Sequence, residues 1–199
     1  TIALEDVGDA LCERFALPEW VEIDEQWERD ELSLYAAQRQ MWALVRARPQ
    51  AFRAAVEDLS ALRPGFDSLL ERACADGVRL VVASGGFSLY IEQILGPRLE
   101  RFESVYANSM SIAGDRVGID FPHMKTLGCD RCAVCKGRVC DHYRALGDRV
   151  VFVGDGSSDR CAVGRADRLY CVRGSKLASS CQAQGCAAIE IDSFDEVSW

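Results

Sequence analysis

The sequence predicts an α/β fold built on a parallel sheet, with an all-helical insertion near its beginning. Two segments, residues 78–83 and 150–153, have the continuous apolar, valine-rich composition of buried parallel strands. Each leads into small polar residues and is bordered by helical patterns, as in β–α units. Residues 9–62, by contrast, show helical spacing and no strand-like alternation.

The insertion is predicted to form a helical cap over residues 3–62. It consists of three segments with helical spacing and alternating Glu and Arg on the polar face: residues 9–15, 24–46 and 49–62. Arg63-Pro64-Gly65 then interrupts the helical pattern. We therefore assign residues 63–199, together with Thr1 and Ile2, to the α/β core.

The remainder of the chain alternates between helices and strands, as expected of an α/β core. Apolar segments predict further strands at residues 168–172 and 187–191, and the segment 109–121 has the pattern of a hairpin. Helical spacing occurs between the strands, at residues 66–75, 87–95, 137–146, 161–166 and 175–184.

The segment after residues 150–153 carries two carboxylates, Asp155 and Asp159, in the sequence GDGSSD. The glycines allow a tight turn, and both carboxylates then converge at the carboxyl end of the sheet, where α/β proteins place their chemistry. Oxygen ligands of this kind suit Mg²⁺ better than zinc. The alternative is a plain Asp/Gly/Ser turn with an aspartate helix cap.

Ser84 and Lys136 are candidates for binding an anion. Ser84-Gly85-Gly86 follows a strand and precedes a helix, so a hydroxyl and main-chain N–H groups can form an anion cradle. Lys136 stands directly before the helix at 137–146 and can hold a phosphate as a point charge. The alternatives are a flexible turn for the glycines and a solvated surface position for the lysine.

In this order, the serine, lysine and aspartate segments resemble the phosphoserine-phosphatase branch of the haloacid dehalogenase superfamily, whose members have a Rossmann-like sheet. Ser84 is similar to the second motif of that family, Lys136 to the third and residues 154–159 to the fourth. Three shorter segments resemble the methionine-salvage phosphatases of the superfamily: Phe121-Pro122-His123, Leu17-Pro18-Glu19-Trp20 and the Cys135-Lys136 junction.

The resemblance implies a Mg²⁺-dependent phosphomonoesterase that acts through an aspartyl-phosphate on a small phosphorylated metabolite, either a methionine-salvage or a phosphoserine-like substrate. It implies that Asp155 and Asp159 form the metal site, with Asp159 orienting a metal-bound water or the lysine. Ser84, the Gly85 N–H and Lys136 then hold the phosphate while charge spreads in the transition state.

Asp6 is a candidate for binding the substrate. It lies at the place where phosphoserine phosphatases carry an acidic residue that contacts the substrate's amino group. An aspartate near a helix start is also a common cap. Both interpretations of Asp6 are open from the sequence.

The chain departs from the family at the first motif, D-x-D-G-T, in which the first aspartate is the nucleophile and the second is the general acid/base. Thr1 and Ile2 match only the tail of this motif, so neither aspartate is within the 199 residues. The central strand that carries them is also missing, and its loss leaves two unpaired strand edges. We therefore expect a strand and the motif upstream of Thr1. A catalytically silent phosphate-binding module is the alternative.

Composition and charge argue against two classes of partner. The formal net charge of −8 is unlike that of nucleic-acid-binding proteins, which carry a basic face. No segment has the length of a membrane span and no signal peptide is visible, which favours a cytoplasmic protein. The sequence does not specify an oligomeric state.

The chain contains ten cysteines, four of which are close together: Cys129, Cys132, Cys135 and Cys140. Two C-x-x-C steps that share one cysteine differ from the usual two-knuckle spacing, so structural zinc is a candidate that the spacing does not favour. A redox switch and a thiol-rich loop are the alternatives. The other cysteines are scattered, as expected of small buried hydrophobes in a reducing compartment.

Overall fold

The fold of the chain is α/β, as predicted. A computed structural model describes residues 1–199, which divide into two compact units. The first unit contains Thr1–Ile2, Leu62–Leu80 and Cys135–Trp199, and the second contains Ala3–Ala61 and Val81–Val134. Each unit has its own three-stranded sheet.

The elements are numbered in chain order. The helices are α1 (Val7–Phe15), α2 (Trp20–Glu28), α3 (Leu34–Leu44), α4 (Pro49–Asp58), α5 (Phe66–Ala75), α6 (Ser88–Leu95), α7 (His123–Leu127), α8 (Lys136–Ala145) and α9 (Lys176–Gln184). The strands are β1 (Val81–Phe87), β2 (Ser104–Ala113), β3 (Arg116–Asp120), β4 (Val151–Gly154), β5 (Arg168–Val172) and β6 (Ile189–Ile191). Short 3₁₀-helices span Gly96–Arg101, Ser157–Ala162 and Phe194–Glu196.

The first unit contains a parallel sheet in the order β4-β5-β6. In this sheet Val151 is opposite Arg168, and Gly154 is opposite Cys171. One buried cluster joins the sheet to α9 and consists of Leu169, Cys171, Leu177, Ala178 and Cys181. Because the strands are parallel and anchored by this cluster, the loop after β4 leaves the sheet at its carboxyl edge.

The second unit combines a parallel pair, β1 and β2, with an antiparallel hairpin of β2 and β3. The hairpin predicted at residues 109–121 is therefore present, and Gly114 has a φ of +66° in its turn. Aromatic side chains form much of the core. The ring of Trp42 lies 5.1 Å from that of Phe87 and 6.5 Å from that of Phe52.

The helix predicted at residues 24–46 is in fact two helices, α2 and α3. Asp30 has a φ of +63°, a left-handed conformation that interrupts the helix. Ser33 then begins α3, because its hydroxyl oxygen accepts a hydrogen bond from the Ala36 N–H at 3.2 Å. The prediction of one continuous segment is wrong because a single left-handed residue leaves the apolar spacing on either side intact.

The segment Ser84-Gly85-Gly86 lies inside β1 and not in a turn after it. Ala83 pairs with Tyr106 and Phe87 pairs with Asn108, so these three residues of β1 are opposite one residue of β2. The extra residues form a bulge, which bends a strand and re-aims its side chains. The predicted end of this strand at residue 83 is therefore too early.

Three further expectations concern the connection after β4, the predicted cap and membrane-spanning helices. The connection predicted at residues 161–166 begins earlier, as the 3₁₀-helix Ser157–Ala162. The segment Ala3–Ala61 of the second unit corresponds to the predicted cap, whose role as a separate domain stays a prediction. None of the helices combines the length and the apolar character needed to cross a lipid bilayer.

Gly65→Ala is expected to destabilise the first unit. Gly65 precedes α5 with a φ of +76°, and an added Cβ would lie 2.5 Å from both the Asp195 main-chain nitrogen and the Ser193 hydroxyl oxygen. A left-handed alanine and the steric overlap together lower the free energy of unfolding by about 2–5 kcal/mol. Urea unfolding followed by circular dichroism measures this loss.

Gly77→Ala is the matched control for this experiment. Gly77 follows the same helix with a φ of +67°, but no other atom lies within 4 Å of an added Cβ. Only the conformational cost of about 1–2 kcal/mol applies there. Equal losses for the two variants would contradict the close contact between Gly65 and residues 193–195.

Candidate active site

The carboxylate of Asp159 organises the loop after β4. Its Oδ2 atom accepts hydrogen bonds from the Asp155 and Gly156 N–H groups, both at 2.8 Å. Its Oδ1 atom accepts from the Lys136 ammonium in an ion pair. Only 2% of Asp159 is exposed, so the ionised carboxylate depends on these donors.

Gly154 makes room for this carboxylate. An added Cβ on Gly154 would lie 2.6 Å from Asp159 Oδ2 and 2.8 Å from its Cγ. Gly156, two residues later, has no such restriction, because its nearest neighbours would be 3.8 Å away. The loop thus needs glycine at the end of β4 for a steric reason, and this requirement was not visible in the sequence.

Lys136 is buried at the start of α8 and was predicted to hold phosphate. Its Nζ atom donates to the Ser158 hydroxyl at 2.8 Å in addition to Asp159. Burial opposes the charged form, but the Asp159 carboxylate more than compensates and raises the pKa of Lys136 above its ordinary value. The lysine is therefore a cation at neutral pH, and its placement contradicts the interpretation as a solvated surface residue.

The start of α8 is packed against the 3₁₀-helix that carries Asp159. The Gly137 N–H donates to Cys161 Sγ at 3.3 Å, and an added Cβ on Gly137 would overlap the Cys161 carbonyl oxygen. This close approach holds Lys136 beside Asp159. Lys136 and Asp159 are both visible in the sequence, but the sequence does not show that the elements carrying them pack together.

Asp155 presents its carboxylate next to Thr1. Its Oδ1 accepts from the Thr1 hydroxyl, and its Oδ2 lies 2.9 Å from the Thr1 main-chain nitrogen. The charge of Lys136 also acts favourably on the ionised form of this carboxylate. An oxygen ligand that is 30% exposed fits a hard cation such as Mg²⁺.

Arg63 is a functional candidate that sequence analysis missed. Its Nε donates to the Thr1 carbonyl oxygen at 2.9 Å, its main-chain N–H donates to the Ile2 carbonyl oxygen at 2.8 Å, and its guanidinium is 4.0 Å from Asp155 Oδ2. The side chain is only 11% exposed. In the sequence, Arg63-Pro64-Gly65 indicated only a break between elements, because nothing local shows which way the arginine points.

The predicted anion cradle lies in the second unit. The Gly86 N–H donates to Ser84 Oγ at 3.0 Å, and the Gly85 carbonyl oxygen accepts from the side-chain amides of Gln38 and Asn108, both at 2.7 Å. Gly86 tolerates no side chain, because an added Cβ would overlap the Tyr90 hydroxyl. The roles of Ser84 and Gly85 in binding phosphate stay predictions.

Asp6 caps α1 in the second unit. Its Oδ1 atom accepts from the Gly8 and Asp9 N–H groups at 2.9 and 3.1 Å. The pKa of Tyr90 is raised, first by burial and second by the negative charge of Asp6. The contacts of Asp6 are those of a helix cap. Contact between Asp6 and a substrate stays a prediction.

The clustered cysteines do not gain support as a zinc site. Cys129 and Cys132 belong to the second unit, where the Cys132 N–H donates to Cys129 Sγ at 3.4 Å, and Cys135 and Cys140 belong to the first. Burial raises the pKa of the Cys140 thiol to about 12.

The chain thus combines an α/β fold with an aspartate loop at the carboxyl end of a parallel strand and with a buried lysine. The chain belongs to the haloacid dehalogenase-like hydrolases, whose family model matches residues 1–163. The resemblance deduced from the sequence motifs is therefore confirmed.

Curated relatives match along the whole chain. It is 30% identical over 200 residues to a 2-hydroxy-3-keto-5-methylthiopentenyl-1-phosphate phosphatase of an Exiguobacterium species, covering 100% of this chain and 91% of the relative. A protein of the same name from Exiguobacterium sibiricum is 28% identical over 200 residues, covering 99% and 90%.

Solved structures support the fold. The chain is similar to a substrate-bound phosphoserine phosphatase complex with a TM-score of 0.74 and 16% identity, covering 98% of this chain and 91% of that one. A phosphoserine phosphatase from T. onnurineus has a TM-score of 0.67 and 18% identity, covering 98% and 86%.

Gly154→Ala is expected to disturb the aspartate loop, whereas Gly156→Ala is the matched control. The new methyl group at residue 154 forces the Asp159 carboxylate off its donors, and overpacking of this kind costs about 1–3 kcal/mol of unfolding free energy. The control adds a methyl group at ordinary contact distance and leaves stability within about 0.5 kcal/mol. Urea unfolding of both variants measures the difference, and equal stability would contradict the observed packing of Asp159 on Gly154.

Proposed function

We propose that this chain provides most of the active site of a Mg²⁺-dependent phosphomonoesterase that acts on a small phosphorylated metabolite. The observation that carries the proposal is the buried ion pair between Lys136 and Asp159, next to the partly exposed carboxylate of Asp155 on the same loop as Asp159. Membership of the haloacid dehalogenase-like hydrolases and the names of the curated relatives support the phosphatase activity.

The metal site is assigned to Asp155, with Asp159 acting indirectly. Both oxygens of Asp159 already accept hydrogen bonds from protein donors, whereas the Asp155 carboxylate is partly exposed. Asp159 thereby fixes the Lys136 ammonium and the main chain of the loop. When bound, Mg²⁺ supplies positive charge that neutralises the phosphate.

The nucleophile and the acid/base are assigned to a D-x-D-G sequence directly before Thr1. The Thr1 nitrogen is 2.9 Å from Asp155 Oδ2, and a peptide bond of about 1.33 Å would join a preceding residue to that nitrogen. Residues before Thr1 would therefore lie beside the Asp155 carboxylate. The first aspartate would attack the phosphorus atom and the second would protonate the leaving alcohol.

Phosphate binding is assigned to Lys136, Ser84 and the Gly85 N–H, following the family pattern. Lys136 keeps its charge because its pKa is raised. The Ser84 oxygen accepts from the Gly86 N–H, which leaves the hydroxyl proton available for a phosphate oxygen. These donors would hold the oxygens on which charge develops in the transition state.

The leaving group is assigned to the methionine-salvage type. This assignment follows the name shared by relatives that are 30% and 28% identical along nearly the whole chain. Phosphoserine is the second candidate, and it depends on Asp6 contacting an amino group. A comparison of kcat/KM for the two esters separates the candidates, and a higher value for phosphoserine would overturn the first.

Asp155→Asn is expected to lower Mg²⁺-dependent hydrolysis of a generic phosphomonoester by at least about 100-fold, because a neutral amide is a much poorer ligand for a hard dication. The measurement uses the chain preceded by the expected strand and its D-x-D-G motif, since the proposed nucleophile lies there. Mg²⁺ titrations of the rate give the apparent metal affinity.

Asp192→Asn is the matched control, because Asp192 also follows a strand of the same parallel sheet but forms a surface ion pair with Arg173. It should leave the rate and the Mg²⁺ affinity unchanged. Wild-type behaviour of Asp155→Asn would overturn the metal assignment. Absence of any Mg²⁺-dependent turnover in the parent protein would favour the silent phosphate-binding module.

A further inference from the structure

Two side-chain amides converge on one main-chain carbonyl of the bulge in β1. Gln38 Nε2, from α3, and Asn108 Nδ2, from β2, both donate to the Gly85 carbonyl oxygen at 2.7 Å. The amides also approach each other, with 3.5 Å between Asn108 Nδ2 and Gln38 Oε1. We call Gln38 and Asn108 the amide clamp.

The clamp fixes a whole peptide plane. The Gly85 carbonyl and the Gly86 N–H belong to the same planar peptide unit. The amide clamp holds the carbonyl end, and Ser84 Oγ accepts from the N–H end at 3.0 Å. Rotation of this peptide would therefore break the clamp and release the serine oxygen at the same time.

Asn108 donates to the Gly85 carbonyl oxygen although its own side-chain oxygen accepts no hydrogen bond. The residue is completely buried, and its Oδ1 atom has no hydrogen-bond partner. The reverse orientation of the amide would bring Oδ1 against the Gly85 carbonyl oxygen, so donation to Gly85 determines the orientation. A buried acceptor without a donor is unfavourable for folding. A polar group kept at such a cost is typical of a functional site.

Helix α3 is also in close contact with the bulge. An added Cβ on Gly85 would lie 3.4 Å from Leu34 Cδ2 and 3.8 Å from Gln38 Nε2. The clamp therefore connects a helix of the insertion directly to the bulge that carries Ser84. The amide clamp makes no hydrogen bond to Ser84 itself. It therefore acts on the serine through the peptide unit that joins Gly85 to Gly86.

We propose that Gln38 and Asn108 are positioning residues that orient the Ser84 hydroxyl toward a phosphate oxygen. This inference rests on the proposed function, in which Ser84 donates to phosphate. With the peptide fixed, the Gly86 N–H occupies one lone pair of Ser84 Oγ. The Ser84 hydroxyl proton then points away from that N–H. Movement of α3 would loosen the clamp and weaken phosphate binding.

The test compares Gln38→Met and Asn108→Leu in the chain preceded by D-x-D-G. Each variant loses a donor to Gly85 and should lower kcat/KM for a phosphomonoester, and the affinity for inorganic phosphate, by about tenfold. Gln40→Met, on the exposed side of the same helix, is the matched control and should change neither quantity. Thermal unfolding should show no loss of stability for Asn108→Leu, because the variant removes the unpartnered buried oxygen.

A Ser84→Ala background decides whether the clamp acts through the serine. Without the hydroxyl, Gln38→Met should change kcat/KM and phosphate affinity by less than about twofold. An equal tenfold loss in both backgrounds, or no loss in the Ser84 protein, would overturn the proposal.

The phosphate measurement separates this inference from the proposed function. If the parent protein binds inorganic phosphate without hydrolysing esters, the proposed activity fails. A loss of phosphate affinity in Gln38→Met that depends on Ser84 would support the clamp in that case as well. An unchanged affinity would overturn it.

Discussion

The carboxylate of Asp159 is the interaction on which the site in the first unit depends. It is buried and joins three donors: the Lys136 ammonium and the N–H groups of Asp155 and Gly156. Removal of one partner of a buried ion pair costs about 3–5 kcal/mol, because the remaining charge is left without compensation. One side chain thus determines the path of the loop, the position of the lysine and its protonation state.

The fold supplies the space and the contacts that this pair requires. Gly154 leaves room for the carboxylate, and Gly137 lets the first turn of α8 approach the 3₁₀-helix Ser157–Ala162. Asp159 is buried and accepts three hydrogen bonds, whereas Asp155 has a partly exposed carboxylate. The two aspartates of one short motif therefore differ in their contacts: Asp159 holds the loop, and Asp155 is the residue that we propose as the metal ligand.

Much of the fold could be predicted because its signals are local. Helix α5 and strand β5 have the predicted bounds, since continuous apolar or helical spacing defines them without reference to the rest of the chain. The structure also brings together Lys136 and Asp159, as their family motifs suggested. The contacts of Arg63, Gln38 and Asn108 could not be predicted, because each depends on a partner tens of residues away in the sequence. The split of residues 24–46 was missed because one left-handed residue does not alter apolar spacing.

A crystal structure of the chain preceded by D-x-D-G, with Mg²⁺ and inorganic phosphate, tests the division of roles between the two aspartates most directly. We expect a metal about 2.1 Å from an Asp155 carboxylate oxygen. We also expect Asp159 to keep its bonds to Lys136 and to the Asp155 and Gly156 N–H groups. A metal bound directly by Asp159 with Lys136 displaced, or no metal at Asp155, would contradict the account.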